Sequence, residues 1–234
     1  MEEFLWRTRF EGYQSVPLPF GLRVPGTDRS GTADSILGDR VRGKSVLDVG
    51  TFYGFYPLEA SRRGAARSVG LEPNPERYKI AQEIARLNGD RYEIVQGSAE
   101  EVPLDWSFDV VLLLKVIHHM ADPVAAVRRL AAICREVMVI QFRLPSHGPN
   151  VLRDVAKRTG EAASLSAKVR ARMITALMRW LQRQIPVATI GSTTGFHFSP
   201  EAFRNLFVVQ NRLFSEIEFT FSPPTSITAV CRLP

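Results

Sequence analysis

Between residues 44 and 142 the chain alternates short aliphatic runs with longer amphipathic stretches, the pattern of a parallel sheet covered by helices on both faces. The spacing predicts strands over 45–49, 68–71, 92–96, 109–114 and 137–142, with helices over 56–63, 75–87 and 123–134. Two helix starts are marked locally. Asn74 precedes Pro75 and Asp122 precedes Pro123, each a side-chain cap ahead of a proline suited to the first helical position. After Phe142 the pattern breaks at Pro145, Gly148 and Pro149. A basic stretch then reads as one or two helices, and Pro186 stops it. A helix starting near Ser199-Pro200 and strands over 213–221 and 226–231, flanking Pro223-Pro224, predict a closing hairpin. At 234 residues this is one doubly wound α/β domain with an insertion.

Composition excludes several classes. The longest apolar run, 110–114, is far short of the roughly 20 residues a membrane span needs. The opening MEEFLWRTRF has no apolar core like that of a secretory leader, so no leader is expected. Cys134 and Cys231 both lie in apolar surroundings, which suits buried thiols in a reducing cytoplasm; neither a disulfide framework nor a metal cluster is expected. Charge is concentrated. Residues 151–185 hold eight basic and two acidic side chains, a net +6 that equals the formal charge of the whole chain. That stretch is either a solvated helical face or a surface for an anionic partner, RNA among them.

The segment 46–54, VLDVGTFYG, is a buried strand ending in Asp48 and followed by Gly50 and Gly54 around a turn. Glycines there let a ligand approach the backbone, and the next helix aims its N-terminus at the site. About 20 residues on, Gly70-Leu71-Glu72 ends the second strand with a carboxylate able to accept hydrogen bonds from both hydroxyls of a ribose. A dinucleotide fingerprint needs a closer first glycine pair. Here Thr51-Phe52-Tyr53 separates the glycines, and their bulk would obstruct a pyrophosphate.

These residues resemble the nucleotide-binding signature of class I S-adenosylmethionine-dependent methyltransferases, with Glu72 as the ribose acid. Segment 96–103, QGSAEEVP, is similar to the family's G-D-A-x-x-L-P run beside the adenine, with Ser98 in place of the acid. Phe108-Asp109-Val110-Val111, Val116-Ile117-His118-His119 and Asp122-Pro123 resemble its fourth-strand pattern. The resemblance implies a Rossmann-like seven-stranded sheet, parallel except for an antiparallel strand of the C-terminal hairpin, carrying a helical cap insertion. It implies S-adenosyl-L-methionine as cofactor, bound by Asp48, Gly50, Thr51, Tyr53, Gly54, Glu72, Ser98, Ala99, Glu100 and Lys115. Phe52 and Tyr53 either face the sulfonium through cation-π attraction or pack beneath the loop. A narrower resemblance, through 25–29 (PGTDR) and 43–50 (GKSVLDVG), is to the tRNA wobble-uridine carboxymethyltransferases without their RNA-binding extensions.

The expected domain plan is an N-terminal lid or substrate segment, 1–43, and a methyltransferase domain, 44–234, with a helical cap at 146–190. His118 and His119, at the carboxyl end of the fourth strand where open α/β sheets bind ligands, are the catalytic candidates. If one is a general base, the rate should rise through an ionisation at about pH 6 to 7. Tyr13, His147, Arg170 and His197 are the candidate acceptor contacts. An apolar stripe from Met173 to Leu181 packs on its own domain or on a second copy in a homodimer. The expected reaction is methyl transfer to O or N of a small molecule, anionic or uncharged; RNA is the alternative through the basic stretch, and a non-catalytic cofactor-binding or assembly role is the third reading.

Overall fold

A computed structural model describes residues 1–143, 188–191, 195–222 and 226–234. His147, Arg170, the apolar stripe and almost all of the expected cap at 146–190 lie outside them.

Seven strands form one sheet: β1 (Ser45–Val49), β2 (Arg67–Glu72), β3 (Glu93–Gln96), β4 (Phe108–Leu114), β5 (Cys134–Arg143), and, after the short hairpin of β6 (Ala188–Gly191) and β7 (Gly195–Phe198), β8 (Glu216–Ser222) and β9 (Ser226–Arg232). Their order is β3-β2-β1-β4-β5-β9-β8. The first five pair in parallel; β9 runs antiparallel to both β5 and β8. The chain therefore passes β5 to lay down β8 at the edge and returns to fill the gap with β9. The order reverses between β1 and β4, which opens a crevice at the strands' carboxyl ends.

The central strands are buried on both faces, so they read as continuous aliphatic runs. In β4, Val110, Leu112 and Leu114 pack on one side while Val111 and Leu113 pack on the other. After α1 (Glu2–Arg7), the first side is covered by α2 (Ser30–Ile36), α3 (Phe55–Arg62) and α4 (Pro75–Leu87), the second by α5 (Pro123–Ala132) and α6 (Pro200–Arg204). The caps form as the sequence predicts. Asn74 Oδ1 accepts the amides of Glu76 and Arg77 at 3.0 Å, and Asp122 Oδ1 those of Val124 and Ala125. The helix expected over 123–134 ends at Ala132, because Cys134 already enters β5.

Two features depart from the sequence reading. Residues 188–190, assigned to the helical cap, belong to β6, which pairs with β7 in a separate two-stranded sheet. The N-terminal segment also shares the core of the sheet domain. Val16, Val24, Ile36 and Val41 are buried in one cluster with Val46, Tyr53 and Leu112. Among the described residues no helix is long and apolar enough to cross a membrane.

Candidate active site

At the carboxyl ends of β1, β2, β4 and β5 lies a cavity of about 630 Å³. Its floor begins with Asp48, one residue before the end of β1, and the loop Gly50-Thr51-Phe52. Gly50 has φ 72°, and a Cβ there would meet Val116 Cγ2 at 2.6 Å, so the turn requires glycine. Phe52 also adopts a left-handed conformation, φ 59°, a strained choice for a large side chain.

Glu72 closes β2 beside this loop. Its Oε2 accepts the amide of Phe52 at 2.9 Å, and its Oε1 accepts the amide of Asn74 at 3.1 Å. Burial raises its pKa, and those two amides oppose the rise. Asp48 is fully enclosed; burial pushes its pKa up to about 7, helped by the charge of Glu72. The first two strands thus present two buried carboxylates to one space.

The other wall comes from β4, β5 and the turn after β4. Lys115 follows β4 with φ 60°, its amide donating to Gln141 O at 2.9 Å. Burial lowers its pKa, and Arg29 and Arg143 repel it in the same direction. The helical turn Ile117–His119 then places the two histidine rings 4.2 Å apart. His118 is 1% exposed, and among the described residues its Nδ1 has no hydrogen-bond partner. Burial pushes His118 down to about 4, with the charges of His119 and Arg143 adding to the effect. His119 is lowered as well, by burial and then by Arg143 and Arg77.

The roof is the N-terminal segment, which contributes Glu11, Tyr13, Gln14, Arg29 and Thr32. It is stitched down at several points. Gln14 Oε1 accepts the amides of Tyr53 (3.1 Å) and Phe55 (3.4 Å), and Arg77 grips Glu11 through two bonds of 2.7 and 2.8 Å. Thr32 Oγ1 and the Tyr56 hydroxyl lie 3.2 Å apart. Gly26 lets the chain pass Gln14, since a Cβ there would meet the Gln14 backbone at 2.5 Å.

The structure gathers Tyr13, Asp48, Gly50, Thr51, Glu72, Lys115, His118 and His119 around this space. Tyr53, Gly54, Ser98, Ala99 and Glu100 do not line it. The Tyr53 ring turns the other way, against Phe10, and its hydroxyl accepts the Glu11 amide at 3.2 Å. Gly54 sits at the start of α3 against Tyr92, Ser98 donates to Glu101, and Ala99 is in the core. His197 is buried on β7, its ring 6.4 Å from that of His118. Sequence reasoning missed Gln14, Arg29, Arg77, Gln141 and Arg143. Only Arg143 carries a readable signal, a charge closing an apolar strand at the sheet's ligand-binding end.

The ionisation expected at about pH 6 to 7 does not match this environment. A buried imidazole flanked by cations titrates lower, because its charged form is both desolvated and repelled.

Residues 47–137 match the family described as a methyltransferase domain. Ubiquinone biosynthesis O-methyltransferase of Neisseria meningitidis serogroup C is 34% identical over 114 residues, covering 47% of this chain and 47% of that protein. The tRNA U34 carboxymethyltransferase of Desulfotalea psychrophila is 30% identical over 90 residues, 38% of this chain and 28% of that one. The matched part thus spans less than half the length of these curated relatives. Among solved structures, the N-terminal domain of EvdMO1 with SAH bound superposes with a TM-score of 0.66 at 15% identity, covering 100% of this chain and 94% of that chain. Magnesium protoporphyrin IX methyltransferase from Synechocystis PCC 6803 with bound SAH gives a TM-score of 0.59 at 14% identity, covering 87% and 83%. At these identities the likeness is one of fold.

Proposed function

We propose that this chain, which carries a class I S-adenosylmethionine-dependent methyltransferase domain, transfers a methyl group to an oxygen or nitrogen of a small molecule. The observation that carries this reading is the pairing of Asp48 and Glu72 at the ends of adjacent strands, across the open Gly50 turn from His118 and His119. Bound S-adenosylmethionine would supply a methyl group activated by a sulfonium charge.

The residues present fit that cofactor. Each Glu72 oxygen already accepts one amide and keeps acceptor capacity for a ribose hydroxyl. Asp48, enclosed and without a cationic side-chain partner among the described residues, suits the ammonium of the amino-acid moiety. The Gly50 turn, packed against Val116, brings bare backbone to the cavity wall. At the other end, the cavity-lining pair His118 and His119 can align the nucleophile and supply the base that takes its proton. The N-terminal segment lies over the cavity.

Cys134 and Cys231 are free and buried, which suits a reducing compartment, and we assign the protein to the cytoplasm. RNA is the second reading, favoured by the net +6 of residues 151–185 and by the relative named for tRNA modification. Labelled methyl transfer into an extract separated into RNA and small-molecule fractions distinguishes the two. The proposed reading expects the label in the small-molecule fraction.

A further inference from the structure

The cavity is electrically divided. On the β1–β2 side its charged groups are the buried carboxylates of Asp48 and Glu72, while the β4–β5 side presents the half-buried Lys115 and the exposed Arg143. Lys115 directly follows β4 and Arg143 ends β5, and these strands are parallel neighbours in register from Val110 to Leu114. Among the described residues neither side chain makes an ion pair or a hydrogen bond. The acids of the cavity are engaged elsewhere: Glu11 with Arg77, and Glu72 with two amides. Lys115 lies in the field of Arg143 and Arg29, and burial and both cations disfavour its charge. It also holds a left-handed backbone at φ 60°, where glycine would be unstrained. A lysine kept there, half-buried among like charges, has no counter-ion among the described residues.

The cofactor does not account for all of this positive charge. Its amino-acid moiety brings one carboxylate, and Arg29 is held by the roof, over the Tyr13 ring at 4.8 Å and donating to the Tyr13 carbonyl at 3.3 Å. That leaves the strand-end pair. Since His118 and His119 are held towards their neutral forms, among the described residues the positive charge of this wall comes from Lys115 and Arg143.

We propose that Lys115, which the resemblance assigns to the cofactor, instead forms with Arg143 an oxyanion subsite for the methyl acceptor, which is therefore a small molecule carrying a carboxylate or phosphate group. This rests on the methyltransferase reading and names the substrate class for the same site. The guanidinium fork offers two parallel donors to an oxyanion and the ammonium a point charge. With its anionic group on that wall, the acceptor's nucleophilic atom sits towards the neighbouring histidines.

The test uses titration calorimetry on the wild type, Lys115→Met and Arg143→Met. SAH is titrated first. Benzoate, its neutral twin benzamide, and inorganic phosphate are then titrated into each SAH-saturated protein. The expected result is an SAH dissociation constant unchanged within about threefold in all three proteins. The wild type binds at least one of the two anions, and benzoate and phosphate together report which oxyanion is preferred. Benzamide binds about tenfold or more weakly than benzoate, and each variant loses about tenfold or more in anion affinity. Arg143→Lys, which keeps the charge, recovers part of that loss. Melting curves check each fold, and Lys115→Gln replaces any Lys115→Met protein that melts early. The proposal is overturned if the wild type binds neither anion, or binds benzamide as well as benzoate. It is also overturned if the variants lose SAH affinity instead, which would give both cations to the cofactor. Failure of the wild type to bind SAH overturns the methyltransferase reading itself.

Discussion

Glu72 and Phe52 are joined across the mouth of the site: the Glu72 Oε2 accepts the Phe52 amide at 2.9 Å. The carboxylate is thereby fixed in place by the loop it serves. Its other oxygen, held by the Asn74 amide, ties it to the start of α4. The ribose acid and the glycine turn are one construction, and their variants should behave as a unit.

Glu72→Ala is accordingly expected to weaken SAH binding by roughly tenfold to a hundredfold, the loss of one or two charged hydrogen bonds. Glu72→Gln keeps one carbonyl acceptor and should fall between. Calorimetry that finds the alanine variant binding like wild type removes Glu72 from the cofactor.

Asp48 gives a pH signature to the cofactor-free protein. Its pKa in the folded state is raised from 3.8 to about 7, so between those values the folded chain holds a proton that the unfolded chain has lost. Stability from this group is therefore present at low pH, falls as pH rises and is fully lost above about 7. Asp48→Asn lacks this dependence. The melting temperature of the variant minus that of wild type should grow from near zero at pH 4 to a plateau above pH 7. That plateau corresponds to at most about 4 kcal/mol. A difference independent of pH would show that Asp48 is ionised throughout.

Much of this site was legible because its residues follow from local rules. A strand that ends in Asp48 before a glycine turn, a second that ends in Glu72, and histidines after the fourth all fall at the sheet's binding edge by topology alone. The N-terminal contribution was not legible in the same way. Gln14 reaches the amides of Tyr53 and Phe55 across about 40 residues of sequence, and no periodicity reports such a bond. Tyr53 was assigned to the ligand because it lies in the loop, yet its ring faces Phe10 while its neighbour Phe52 meets the cavity. The β6–β7 hairpin was missed because the basic stretch before it dominates the pattern. Its place is fixed by aromatic packing that only the fold reveals, with Phe198 against Phe203 and Phe142.

The roof should be a structural requirement as well as a lid. Gln14→Ala leaves two enclosed amides without an acceptor, an expected loss of about 1 to 3 kcal/mol. Thermal melting should fall by several degrees, and SAH affinity should fall with it. Unchanged melting would mean that water replaces the side chain, and the segment would then be a dispensable cover.

For the histidines, turnover should be flat from pH 8 to about 6 and decline only on approaching the low pKa of His118, near 4. Replacing the acting histidine by Asn is expected to lower turnover about 10²- to 10⁴-fold with little change in SAH affinity. If both Asn variants instead lose stability or SAH binding while the remaining activity keeps its pH profile, the pair is structural.

The central claim is methyl transfer to a small molecule. Its most direct measurement is incubation of the protein with methyl-labelled S-adenosylmethionine and a cell extract resolved into small-molecule, RNA and protein fractions. The account predicts protein-dependent label in the small-molecule fraction, lost in Glu72→Ala. Label confined to RNA, or bound cofactor with no transfer into any fraction, would contradict it.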